Sequence, residues 1–242
     1  MSTFRLDKYL ADANIGTRTE VKNYIKKGFV TINGTIAKKP DIKIDPATDE
    51  IYFQNERIHL SEFEYYLLNK PAGYVSATKD NTAPTVLSLI ESNRKDLFPV
   101  GRLDKDTEGL LLITNDGAMS HRLLSPKRHV DKTYYAELEG IVTDDDIASF
   151  EQGLEIGDED LEITMPAKLS ILHVDTECNT SSVHVTIQEG KFHQVKRMFQ
   201  FVEKKVTYLR RISFGPINLP EDLELGEHRA LTSEEIEMLQ KF

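Results

Sequence analysis

The chain has 242 residues, 39% apolar and 29% charged, a composition that suits one or two globular domains. A formal net charge of −10 argues against a surface that binds nucleic acid everywhere, so any such binding must be local. A single cysteine excludes an intrachain disulfide and a cysteine-built zinc cluster, and no apolar run is long enough to span a bilayer or to serve as a signal-peptide core. A cytoplasmic location is expected.

The first module is expected over residues 1–59. Leu6, Tyr9, Leu10 and Ala13 follow helical spacing, and so do Val21, Tyr24 and Ile25. Thr17-Arg18-Thr19-Glu20 reads as a capping box that opens the second helix, and Gly28 ends it. Asn33-Gly34 lies between two strand-like runs and predicts a hairpin, with a further short strand at 51–53. Arg18, Lys22 and Lys26 recur every four residues, so they share a helix face, and Lys27 extends it. Such a row suits a phosphate backbone. The plain alternative is a solvated helix face.

A polar joint is expected at 60–64 and a second module at 65–242. Its predicted strands are 65–69, 110–114, 132–139, 167–175, 183–188 and 206–214. Its predicted helices are 85–92, 118–124, 144–152, 194–202 and 233–239, the last opened by a second capping box at Thr232. Strands and helices do not alternate regularly. The fold class expected is therefore α+β: a small N-terminal α/β module, then a mixed, mainly antiparallel sheet with flanking helices. The acidic runs at 141–162 and 221–237 read as solvated faces.

Dinucleotide, Walker, zinc-protease and nucleophile-elbow motifs are absent from the sequence. The carboxylates at 144–146 and 158–162 lack the spacing of a calcium loop, and no metal site is expected. The densest chemistry lies in Gly101-Arg102-Leu103-Asp104-Lys105-Asp106-Thr107-Glu108-Gly109, just ahead of an apolar run. Asp104 is the candidate carboxylate, with Arg102 expected to keep it ionised. The alternative is a structural ion pair or turn cap. Asp106 and Glu108 are alternative carboxylates that read as loop or capping residues, and Asn115-Asp116-Gly117 reads as a turn that could also approach a ligand. Tyr134 and Tyr135 must face opposite sides of a strand, so one can enter a cleft while the other packs. Finally, Glu189-Gly190 makes a turn ahead of a helix whose first residues include His193, Gln194, Lys196 and Arg197. A helix N-terminus favours anions, so His193, Gln194 and Arg197 are candidates to contact RNA, and His193 reads as a structural hydrogen-bonder and not as a base.

The first module resembles the S4 RNA-binding domain. The match is carried by the stretches 5–10, 17–21, 25–34 and 38–40, and it implies that Arg18, Lys22, Lys26 and Lys27 face RNA. The whole chain resembles the pseudouridine synthases of the RsuA type. That match rests on Leu67-Leu68-Asn69-Lys70-Pro71-Ala72-Gly73, the loop from Val100 through Asp104 to Leu111, Lys132-Thr133-Tyr134, and Glu189-Gly190-Lys191-Phe192-His193-Gln194-Val195-Lys196-Arg197-Met198.

The resemblance implies isomerisation of a uridine in RNA without metal or cofactor. It implies that Asp104 is the essential carboxylate. Tyr134 would stack on the base and relay its C5 proton. Lys196 would pair with Asp104, with Arg197 as the second choice. Arg102 would fill the space left in the RNA helix, and Leu209 would pack near the ring. The stretches 83–87, 125–129 and 227–232, with no basic tail after the last helix, resemble the small-subunit enzyme. They imply 16S ribosomal RNA in an assembling subunit as partner, acted on by a monomer. The alternatives are large-subunit rRNA, or a non-catalytic S4-type RNA-binding or assembly factor.

Overall fold

The computed structural model describes residues 4–13, 15–58, 63–157 and 162–242. Most of the expected joint at 60–64 and of the carboxylates at 158–162 lies outside them. The chain forms two compact units: Met1–Phe63 with Glu91–Asp96, and Glu64–Ile90 with Leu97–Phe242.

In the first unit, strand β1 (Phe4–Arg5) leads into helix α1 (Leu6–Asp12), and helix α2 (Arg18–Lys26) follows. The Thr17 hydroxyl accepts from the Glu20 amide, while Glu20 accepts from the Thr17 amide; this reciprocal cap fixes the start of α2. Strands β2 (Val30–Ile32) and β3 (Thr35–Ile36) form the hairpin, with Asn33 at φ 50° and Gly34 at φ 79° in its turn. Strand β4 (Lys43–Ile44) pairs with β1, and β5 (Ile51–Phe53) lies between β2 and β6 (Glu56–Arg57). Leu6, Leu10, Val21, Ile25, Val30, Ile44 and Ile51 make the core of this unit.

The second unit is built on one sheet. Its strands are β7 (Tyr65–Lys70), β8 (Phe98–Pro99), β9 (Glu108–Thr114), β10 (Lys132–Glu139), β11 (Lys168–Asp175), β12 (Thr180–Ile187), β13 (Lys205–Phe214), β14 (Ile217–Asn218) and β15 (His228–Ala230). The order is β11-β12-β10-β13-β9-β7-β15, with β14 beside β13 and β8 beside β9. Among the described residues every pairing in this sheet is antiparallel except β9 with β13. The α+β class with a mixed, mainly antiparallel sheet is what the sequence predicted.

The sheet is covered on both faces. Leu111 and Ile113 face one core while Leu110 and Leu112 face the other, as the two-residue period of a strand requires. Helices α4 (Asp144–Gln152) and α5 (Gln194–Phe201) cover the first face, where Phe150 and Phe199 sit 5.0 Å apart between ring centres. Helices α3 (Gly117–Leu124) and α6 (Ser233–Gln240) cover the second through Met119, Leu123 and Leu239.

Some local expectations are corrected. The predicted helix at 85–92 is a single 3-10 turn, Val86–Leu89. Thr85 is extended and bridges Val75, and Ile90 is extended again, so a single turn is all that forms between them. Asn115-Asp116-Gly117 is the turn that opens α3: Asp116 caps the helix through the Met119 amide and accepts from the Tyr65 hydroxyl. Asp146, placed on the surface with its neighbours, is buried, caps α4 and pairs with Lys204 at 2.8 Å.

Candidate active site

Four elements converge on one cleft. The loop before β9 brings Arg102, Leu103, Asp104 and Thr107; β10 brings Tyr134; the turn into α5 brings Gly190, Lys191, His193, Gln194 and Lys196, and β13 adds Leu209. The strand order accounts for the convergence. Strand β13 lies between β9 and β10, with Gly109 opposite Arg211 and Tyr134 opposite the same Arg211. The close parallel start of β9 against β13 needs a glycine: a Cβ at Gly109 would lie 2.2 Å from the Arg211 carbonyl oxygen, and its φ is +98°.

The loop that carries Asp104 is held from beneath by Lys70. This lysine is completely buried. Its Nζ donates to the carbonyls of Pro71 at 3.1 Å, Asp104 at 3.0 Å, Lys105 at 3.2 Å and Thr107 at 2.7 Å. Burial pushes its ammonium down to about 8, against the pull of Asp106, Glu108 and Asp104. From the side, Ser76 Oγ donates to the Leu103 carbonyl and accepts from the Leu103 amide, at 2.9 and 3.1 Å. The backbone of Asp104 is thus fixed while its carboxyl group remains partly open to solvent.

Asp104 faces two bases. Lys196 Nζ lies 3.4 Å from its Oδ2, and His193 Nε2 lies 3.6 Å from its Oδ1. Lys196 also meets Asp106 Oδ1 at 2.6 Å, and this hydrogen bond holds the Asp106 carboxyl below its usual range. Glu108 is engaged elsewhere and accepts from the Tyr208 hydroxyl at 2.7 Å. Burial, with help from Glu108, pushes that phenol up to about 12. Of the three loop carboxylates only Asp104 lines the cleft.

Tyr134 turns into this face, nearly buried, while Tyr135 lies on the other face beside Tyr208 and His184. Behind Tyr134, the guanidinium of Arg211 sits 6.0 Å from its ring centre and 5.1 Å from that of Phe214, and Arg211 Nε donates to the Leu110 carbonyl. Lys132 is buried nearby and pushed down to about 8 by burial and by Arg211. Leu209 lines the cleft and is almost fully covered.

Not every residue named from the sequence points into the cleft. Arg102 lines it but makes no ion pair with Asp104 among the described residues; the basic side chains beside Asp104 come from α5 and its cap. Arg197 is committed to the protein: it pairs with Glu162 at 2.9 Å and donates to the carbonyls of Phe192 and Ile156. Gln194 lies at the cleft wall, but its amide group accepts from the Lys191 amide and donates to Glu189, so it shapes the turn. Arg18, Lys22, Lys26 and Lys27 are all exposed, along α2 and at its C-terminal cap. The sequence reading gave no role to Lys70, Ser76 or Arg211. A lysine closing a strand led by Tyr65-Tyr66-Leu67-Leu68 was the available signal for Lys70.

Comparison with known proteins places these features. A family model described as RNA pseudouridylate synthase matches residues 64–201, and an S4 domain model matches residues 4–51. The chain belongs to the RNA pseudouridylate synthase family. As a pseudouridine synthase of the RsuA type it is 46% identical to the Bacillus subtilis protein named "Uncharacterized RNA pseudouridine synthase YtzG", over 97% of this chain and 98% of that one. It is 42% identical to the Haemophilus influenzae "Ribosomal small subunit pseudouridine synthase A", over 98% of this chain and all of that one. The Escherichia coli protein of the same name is 40% identical over 96% and 98%. A crystal structure of a pseudouridylate synthase, 41% identical, superposes with a TM-score of 0.68 and covers 98% of this chain and 99% of that one.

Proposed function

We propose that this pseudouridine synthase converts one uridine of 16S ribosomal RNA to pseudouridine. It acts as a cytoplasmic monomer on a partly assembled small subunit, with Asp104 as the essential carboxylate. The observation that carries the assignment of Asp104 is its position in the cleft, 3.4 Å from Lys196 and in a common wall with Tyr134. The small-subunit reading is supported by the relatives that bear that name at 40–42% identity over nearly the full chain.

The reaction exchanges one bond for another. The N1–C1′ bond of the target nucleotide breaks, the uracil turns in the cleft, and a C5–C1′ bond forms. The proton lost from C5 is balanced by one gained at N1, and no electrons are transferred, so the chemistry calls for no redox cofactor. Asp104 either adds to C1′ and is later displaced, or removes the C2′ proton to open a glycal route. In both routes Lys196 supports the charge on Asp104. Everting the nucleotide costs on the order of a few kcal/mol. Stacking on Tyr134 returns about 1–3 kcal/mol, and Leu209 closes the pocket around the ring.

The exposed cations of α2 add sequence-independent affinity for the phosphate backbone. The test is a carbodiimide map of pseudouridine in ribosomal RNA from cells that lack the protein. Loss of a single 16S site, restored by the wild-type chain and not by Asp104→Asn, is the expected result. An unchanged map overturns the reading, and loss of a 23S site overturns its substrate.

A further inference from the structure

We propose that Phe192 is a stacking platform for the nucleotide next to the target uridine, built onto the rim of the cleft. Phe192 is 72% exposed, more than any other large apolar side chain among the described residues. Its ring stacks on His193, with centres 3.8 Å apart and planes 20° from parallel. His193 in turn reaches Asp104 at 3.6 Å. An unbroken series of contacts therefore runs from the cleft carboxylate out to an aromatic surface in water.

The platform is held rigidly. His193 caps α5 with a φ of +48°, a conformation that few non-glycine residues adopt. Arg197 donates to the Phe192 carbonyl and is anchored by Glu162, while Gln194 ties the turn to Lys191 and Glu189. These bonds fix the main chain that carries the two rings, and most of the outer ring is open to solvent. A base suits that surface. Everting a uridine strips its neighbour of one stacked face, and an aromatic ring at the mouth of the cleft can replace it, whatever the neighbour's identity.

The inference rests on the reading that the Asp104 cleft receives the uridine. The test uses the full chain and a synthetic RNA stem-loop carrying the uridine located by the map, followed as pseudouridine formed in single turnovers. Phe192→Ala is expected to lower kcat/KM by about ten- to a hundredfold, from the worth of one stacked base. Phe192→Trp should stay within about threefold of wild type, while Phe192→Leu falls with the alanine variant. An abasic residue on one side of the target should slow the wild type and leave Phe192→Ala no slower than before. A leucine variant as active as wild type, or penalties that multiply with both abasic substrates, overturns the platform while Asp104 keeps its role. A wild-type chain inactive on every ribosomal RNA overturns both.

Discussion

Lys196 Nζ lies 3.4 Å from Asp104 Oδ2 but only 2.6 Å from Asp106 Oδ1, so one ammonium is shared unequally between two carboxylates. The closer partner is the more exposed one, with 74% of its side chain in solvent against 28% for Asp104. An exposed pair is screened and weak. If the cleft receives the target nucleotide as proposed, covering it should strengthen the longer contact by excluding water.

This sorts the loop carboxylates by experiment. Asp104→Asn should abolish isomerisation while leaving RNA affinity within about twofold. Asp106→Asn should change kcat by less than about threefold, because the pair it removes is solvent-screened. Lys196→Met should reduce kcat by about ten- to a thousandfold, as loss of charge support in a covered site does. Pseudouridine formation and filter binding on the same RNA measure all three.

Lys70→Met removes the donor that four carbonyls share. Leaving buried acceptors unpaired costs about 1–3 kcal/mol each. The variant should lose several kcal/mol in denaturant unfolding and most of its kcat.

Lys70 also gives a pH signature. Its ammonium stands near 8 in the folded chain and at 10.5 when unfolded. Between those values the unfolded chain binds the extra proton, so this group's contribution to stability rises with pH across that window and is flat below it. Lys132 acts in the same sense. The unfolding free energy of the wild type should therefore gain relative to Lys70→Met between pH 8 and 10, while the variant retains the Lys132 share. An equal slope in both chains contradicts the assignment.

Gly109→Ala drives a Cβ into the Arg211 carbonyl at the parallel junction. A loss of about 3 kcal/mol is expected, read as a fall of roughly 6–12 °C in Tm for a chain of this size.

Replacing Arg18, Lys22 and Lys26 together by alanine should weaken RNA binding evenly across sequences. The slope of log affinity against log salt should fall by about 0.7–0.9 for each phosphate that is no longer neutralised. Turnover at saturating RNA should hold.

The long, strongly patterned elements were legible in the sequence: strand β10 and helix α4 fall on the predicted residues, and both threonine capping boxes form. What failed depended on partners far along the chain. Strand β15 has three residues and exists through its pairing with Leu68, Leu67 and Tyr66, more than 150 positions away. The 85–92 segment has helical composition, but Thr85 is bridged to Val75, ten positions back, and the continuation, Glu91–Asp96, belongs to the first unit. The site loop was visible because its charges and glycines are local. Its scaffold was not, since Lys70 meets acceptors 34 to 37 residues away. Arg197 and Gln194 looked available to RNA because sequence spacing shows a helix end without showing what it already binds.

The grip of Lys70 has a consequence for how freely this enzyme can change. Its hydrogen bonds to the Asp104 loop all go to main-chain oxygens, which every amino acid supplies alike. The side chains at 105 and 106 are exposed and take no part in those bonds, so their replacement should leave the main-chain shape beneath them in place. A library randomised at those two positions should yield many folded, working members, and should be a place where preference among RNA contexts is retuned without rebuilding the catalytic centre.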